Sequence, residues 1–169
     1  LGRCPLVLRA TAQIMKIGIE MNLSMVVDAD ALFLLTLPEN RGIFECYDKV
    51  VLTPNVIEYK RLLDAHNGHL AAVTSGIVIQ KGALDVISCP TQVDATLVCE
   101  EEGGLKRSGG LGDILAGTVG TFMAWNEILA QDGKPTDRLL SCLSACCVTK
   151  QATKRAYDLH KRSMTAPDV

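Results

Sequence analysis

The sequence predicts an α/β fold, a mostly parallel sheet with helices on both faces, as a single domain over residues 1–169. Three observations carry that expectation. The strand candidates are short, continuous apolar runs rather than alternating ones, which marks strands buried on both sides. Helical stretches separate most of them, the pattern of parallel pairing. Each run also stops at polar or turn-forming residues, as strands do at the ligand-binding edge of an open α/β sheet.

In chain order, Ile14, Ile17 and Met21, with Ile19 beside them, recur at near-helical spacing and predict a first helix ending near Asn22. "SMVVDAD" (24–30) is the first apolar run, and "ALFLLTLPEN" (31–40) reads as a helix that Pro38 stops or closely follows. "KVVLTPN" (49–55) and "VIEYKRLLDA" (56–65) repeat the strand–helix pair, and "GIVIQKG" (76–82) is a third run. Only the turn "CPTQVD" separates "DVIS" from "ATLVCE", so these two strands are expected to form an antiparallel hairpin. Between Gly110 and Trp125 a helix of small and apolar residues begins. A last helix covers roughly 137–162, with Ala145, Val148, Ala152, Ala156 and Leu159 marking one apolar face.

Composition narrows the function classes. A hydrophobic content of 48% suits one packed core. A net charge of -2 and an aromatic content of 4% argue against a nucleic-acid partner, which needs a basic face or a stacking platform. No apolar run has the length needed to span a bilayer, so a soluble chain with no membrane partner is expected. The seven cysteines are odd in number and show no C-x-x-C spacing, which fits reduced thiols in an intracellular compartment better than disulfides or zinc. Cys142, Cys146 and Cys147 share an apolar helical stretch, where a thiol acts as a small hydrophobe. The chain opens on Leu1 without the cationic start and apolar core of a secretory signal, so a processed or incomplete chain is expected.

The strand ends gather polar groups: Asp28 and Asp30, Thr53 and Asn55, Gln80 and Lys81. Singly, each aspartate or asparagine suits a helix cap or turn equally well. As a set on one rim they predict a binding edge. "LKRSGGLGDILAGTVG" (105–120) then places Gly109, Gly110 and Gly112 before Asp113. Successive glycines let backbone N–H groups turn inward as an anion nest, and a following helix adds its positive end. Asp113 either complements that helix end or accepts a proton from a substrate hydroxyl. The Walker G-K-[ST] and the Rossmann fingerprint are both absent.

"SGGLGDILAG" resembles the G-x-G-D motif of the ribokinase-like superfamily. "VVDADAL", "VLTPNVIEYKRL", "VIQKGALDVIS" and "RSGGLGDILAG" together resemble the eukaryotic form of the ATP-dependent NAD(P)H-hydrate dehydratases, in that family's order. The resemblance implies a ribokinase-like fold, incomplete at its N-terminus, because the family's domain begins well before a "GLGR" turn. It implies an enzyme that uses ATP to phosphorylate the hydroxyl of hydrated NADH or NADPH (NADHX, NADPHX). Phosphate is then eliminated, which restores the dihydronicotinamide. Mg²⁺ accompanies ATP in such transfer.

The same resemblance implies the site. Asn55, Val56, Ile57, Glu58, Tyr59, Lys60 and Arg61 would contact the hydrated dinucleotide, together with Gly2 and Asp113. Lys81, Gly82, Ala83, Leu84 and Asp85 would hold ATP with Gly103, Gly104, Leu105, Lys106, Arg107, Ser108, Gly109, Gly110, Leu111 and Gly112. Asp113 would face the substrate hydroxyl as the catalytic residue, and no metal ligand is assigned. A cytoplasmic or mitochondrial location and a homo-oligomer both fit the family. Another ribokinase-like kinase of a small alcohol, or a nucleotide-binding chain without activity, stands as the alternative.

Overall fold

The computed structural model describes residues 4–92 and 95–169. In chain order it contains α1 (Pro5–Glu20), β1 (Met25–Val27), α2 (Asp30–Leu34), β2 (Val50–Leu52), α3 (Val56–Ala65) and β3 (Ile77–Gln80). The hairpin β4 (Asp85–Ser88) and β5 (Thr96–Cys99) follows, then α4 (Leu111–Gln131) and α5 (Arg138–His160).

The five strands form one sheet in sequence order. β1, β2 and β3 pair in parallel, in register Met25 with Val50 and Val51 with Ile77. β4 runs antiparallel to both β3 and β5. Four of the five strands therefore point the same way, and β4 is the reversed one. The expected hairpin closes the sheet, and the pairing is mixed.

Alternate residues of the central strands feed two cores. Val50, Leu52 and Val78 face Met15, Leu32, Leu34 and Leu62, on the side of the first three helices. Val51, Ile77, Ile79 and Ile87 face Leu115, Val119, Met123, Cys142, Ala145 and Cys146 of α4 and α5. Both faces are covered, and that is why β1 and β2 are apolar at every position and β3 is apolar up to Gln80.

Helix starts follow local chemistry. Pro5 opens α1 at a position where its missing N–H is no loss. Asn55 caps α3 through a capping box with Glu58, so the helix begins at Val56. Asp137 caps α5 by accepting the Leu140 N–H at 3.0 Å. α2 is shorter than expected: it stops at Leu34, and Pro38 starts a separate turn of 3-10 helix.

Two expected helix faces are corrected. α1 buries Met15 and Gly18, whereas Ile14 (67%), Ile17 (51%) and Met21 (62%) are exposed. Gly18 sits against the Met25 side chain, where an added Cβ would lie 2.5 Å from Sδ, so the small residue defines the packed face. On α5, Val148 (51%) and Leu159 (79%) point outward. The buried stripe there is Cys142, Ala145, Cys146, Thr149, Thr153 and Ala156. Thr149 and Thr153 tolerate burial because their hydroxyls donate to the Ala145 and Lys150 carbonyls, at 2.8 Å each. Among the described residues no helix is long and apolar enough to cross a membrane.

Candidate active site

The carboxyl ends of β1, β2 and β3 open on one rim. Asp28 follows β1, Asn55 lies just beyond β2, and Lys81 follows β3. Asn55 and Lys81 extend the parallel pairing as an isolated bridge, with the Lys81 N–H donating to Pro54 O at 2.8 Å. Lys81 Nζ reaches past the end of β2 to Asp28 Oδ1 at 2.7 Å. Thr53, also expected at the rim, is instead fully buried, and its N–H and hydroxyl both face Val27 O. The backbone strains where the rim turns into α2: Ala29 has φ 51° and ψ -123°, which an L-residue seldom adopts.

A cavity of about 480 Å³ opens on this rim, lined by Asn55, Val56, Ile57, Lys81, Gly82, Asp85, Arg107, Ser108, Leu111, Gly112, Leu115, Thr149 and Lys150. Of its three cations, Lys81 is paired with Asp28 and Lys150 with Asp85. Arg107 has no ion-pair partner among the described residues, which leaves the cavity a net positive charge for an anionic ligand. Gly112 closes it near the ion pair: an added Cβ would lie 3.4 Å from Asp28 Oδ2 and 3.6 Å from Lys81 Nζ. A second cavity of about 640 Å³ adjoins it along Gly82, Arg107, Leu111, Thr149 and Lys150. Gly103, Gly104, Leu105, Lys106 and Ala83 extend that second cavity, with Tyr157 of α5.

The glycine turn enters α4 through Gly110, whose φ of +90° is left-handed. An added Cβ there would meet the Ala166 Cβ at 2.9 Å, so only glycine fits both the conformation and the space. The Gly112 and Asp113 N–H groups have no acceptor within the helix, as at every helix start, and Gly112 lines the first cavity. Lys106 Nζ donates to Met164 O at 2.5 Å and thereby ties this loop to the C-terminal segment. Asp113 is the third residue of α4 and is exposed, and among the described residues nothing bonds to its carboxylate.

The site residues expected from sequence divide into those at the cavities and those beyond them. Asn55, Val56 and Ile57 line the first cavity, with Asn55 Oδ1 already accepting the Ile57 and Glu58 N–H groups. Glu58 returns the bond to the Asn55 N–H at 2.8 Å. Tyr59 packs against the first core, while Lys60 and Arg61 are exposed along α3, and none of the three lines the cavity. Asp85 is buried, accepting the Gly82 N–H on Oδ1 at 2.9 Å, and Leu84 is exposed. Gly109 has open space about it. Gly2 lies outside the described residues.

Sequence alone did not bring in Thr149, Lys150, Leu115 or Tyr157. They carry no local motif, and α5 reads only as an amphipathic helix. Their place in the site becomes visible once the fold sets α5 beside the two loops.

The family model described as NAD(P)H-hydrate dehydratase matches residues 1–169. The chain belongs to this family. Relatives carrying the name ATP-dependent (S)-NAD(P)H-hydrate dehydratase include one from Dictyostelium discoideum, 35% identical over the whole of this chain and 60% of its own length. One from Homo sapiens is 33% identical, again over the whole chain and 52% of its own length. The chain thus spans little more than half the length of these relatives. A ribokinase-like superfamily protein from Enterococcus faecalis superposes with a TM-score of 0.61 at 21% identity, over 93% of this chain and 54% of the other. A hypothetical protein from Streptococcus mutans gives 0.62 at 20% identity, over 83% and 49%. The fold of this family member is therefore the expected ribokinase-like one.

Proposed function

We propose that this family member catalyses ATP-dependent dehydration of the S form of NAD(P)H hydrate, giving back NADH or NADPH with ADP and phosphate. One observation carries the proposal above the others. The Gly109–Gly112 turn at the start of α4 stands beside the Lys81–Asp28 pair on a cavity rimmed by cations. That juxtaposition supports holding a phosphate chain with its transferable end toward the sheet rim.

The chemistry follows from leaving-group ability. Hydroxide leaves a saturated ring carbon poorly, whereas phosphate leaves well. The substrate oxygen attacks the γ-phosphorus and ADP departs, while Asp113 accepts the hydroxyl proton. The C–O bond then breaks with its electron pair going to phosphate. The neighbouring carbon gives up a proton to the released phosphate as the ring double bond re-forms. Asn55, Val56 and Ile57 would hold the hydrated dinucleotide, and the 81–85 and 103–112 segments would hold ATP. Among the described residues no group of three His, Cys, Asp or Glu side chains could cage a metal. Mg²⁺ would accompany the nucleotide as part of the co-substrate. It would offset the negative charge of the phosphates during transfer.

The test is incubation with ATP, Mg²⁺ and hydrated NADH, following the absorbance of the reduced nicotinamide. Its ATP-dependent return supports the proposal. Release of ADP on a small alcohol without that return would favour a kinase. A nucleotide-dependent rise in melting temperature with no turnover would leave only nucleotide binding.

A further inference from the structure

Both segments proposed to hold ATP are fastened to α5, by two residues three apart. Lys150 reaches the turn between β3 and β4, where its Nζ donates to Ala83 O at 2.5 Å and to Gly82 O at 3.5 Å. The same nitrogen stands 3.5 Å from Asp85 Oδ2. The short bond is the one to Ala83 O, with Gly82 O at the outer limit of hydrogen-bond distance and Asp85 as an ion-pair partner. The Lys150 side chain is 11% exposed and that of Asp85 is 6% exposed, a setting in which charge-assisted hydrogen bonds keep their strength. Asp85 Oδ1 meanwhile holds the Gly82 N–H from inside the turn. Farther along the same face, Thr153 Oγ1 accepts the Gly104 N–H at 3.2 Å. The loop lies so close to the helix there that a Cβ on Gly104 would come within 2.5 Å of Thr153 O.

We propose that Lys150, together with Thr153, is a positioning residue for the nucleotide, fixing the 82–85 turn and the 103–112 loop at the separation that ATP requires. The inference rests on the proposal that ATP occupies the two adjoining cavities, whose common wall includes Gly82, Arg107 and Lys150. Lys150 is bound to the turn through Ala83 O and Asp85, so its effect on the nucleotide runs through the position of that turn. Lys150 lines the first cavity together with Asn55, Val56 and Ile57. Among the described residues, however, no hydrogen bond or ion pair links it or Thr153 to those three, so its loss should fall on the ATP end first.

The experiment is titration calorimetry of this chain with ATP and, separately, with hydrated NADH, before and after Lys150→Met and Thr153→Val. Lys150→Met is expected to weaken ATP binding by about tenfold or more while affinity for the hydrate stays unchanged. Thr153→Val shifts ATP affinity in the same direction by less. Lys150→Arg recovers part of the loss, since it keeps charge and donors in a wider fork. Equal ATP affinity in the unsubstituted chain and in both variants overturns the inference and leaves the ATP site standing. Parallel loss of both affinities overturns it too, because that is what a purely structural lysine would give. Absence of ATP binding in the unsubstituted chain overturns this inference and the proposed function together. Should Lys150→Met fail to fold, Lys150→Arg and Thr153→Val decide the same question.

Discussion

Lys81 Nζ lies 2.7 Å from Asp28 Oδ1, so the residue after β3 and the residue after β1 are joined across the end of β2. Their side chains are 20% and 15% exposed, and the glycine turn at Gly112 borders both. The pair therefore holds one cation at a fixed point beside the turn instead of leaving a lysine to sample solvent. Three strands and a helix start converge there.

Lys81→Met is expected to weaken ATP binding by about tenfold, the worth of one charge-assisted hydrogen bond, measured by calorimetry. It also leaves the Asp28 carboxylate without its partner, which costs about 1–3 kcal/mol of stability in thermal unfolding. Adding Asp28→Asn to that variant removes the orphaned charge. The double variant should melt above the single one while ATP binding stays weak. No recovery in the double variant would show that the pair does not couple.

The glycine turn separates shape from charge. Gly109 has nothing within 4 Å of an added Cβ, so Gly109→Ala should leave the melting temperature unchanged. It should still weaken ATP binding if a phosphate approaches the backbone there. Gly110→Val should lose both stability and ATP affinity, because of its φ of +90° and the Ala166 contact at 2.9 Å. Lys106→Ala, whose amine is held by Met164 O, should affect ATP affinity less than Gly110→Val. The reverse order would mean that side-chain charge, and not the backbone nest, binds the phosphates.

How much of this was legible beforehand depends on where the information sits. α3 could be placed from residues 54–58 alone, because proline, an asparagine cap and a glutamate three residues on are local signals. The hairpin was legible for the same reason: too few residues separate β4 from β5 for a crossover. Faces were not. Ile14 and Ile17 look like core residues, yet burial goes to the side with Met15 and Gly18, where the helix can approach Met25. On α5 two threonines belong to the buried stripe because they satisfy their own hydroxyls, which no hydropathy pattern registers. The glycine turn and Lys81 carried a motif, whereas Lys150 meets Gly82 from 68 residues away and became visible only through the fold.

The buried thiols give a pH dependence of definite sign. Burial pushes Cys99 from its ordinary 9.0 up to about 11 and Cys142 up to about 12, and Cys146 rises for the same reason. A group whose folded pKa is raised contributes stability that is complete below its unfolded value. These thiols should therefore leave stability flat below about pH 9 and lower it above, by up to about 1.4 kcal/mol per pH unit for each thiol, until the folded pKa is reached. Denaturant titrations between pH 7 and pH 11 would measure this, with Cys142→Ala declining less steeply above pH 9 than the unsubstituted chain. Parallel curves would mean that Cys142 is not the buried neutral thiol the second core requires.

The proposed mechanism turns on Asp113. It follows the Gly109–Gly112 turn directly, in the first turn of α4, with a carboxylate that no other described residue engages. Asp113 lines neither cavity but directly follows Gly112, which lines the first. A carboxylate beside the proposed phosphate site would repel the ligand unless it served a use there. Accepting the substrate's hydroxyl proton during phosphoryl transfer is such a use, and general-base assistance is typically worth about 10²–10⁴-fold. Asp113→Asn keeps the shape and removes the base. Turnover of hydrated NADH is expected to fall by about that factor, with ATP affinity kept or increased as a negative charge leaves the phosphate site. Because Asp113 holds no structural bond, the melting temperature should hardly move, which separates chemistry from folding. A lower melting temperature with turnover intact would instead make Asp113 a stabiliser of the α4 N-terminus, and the proton would need another acceptor.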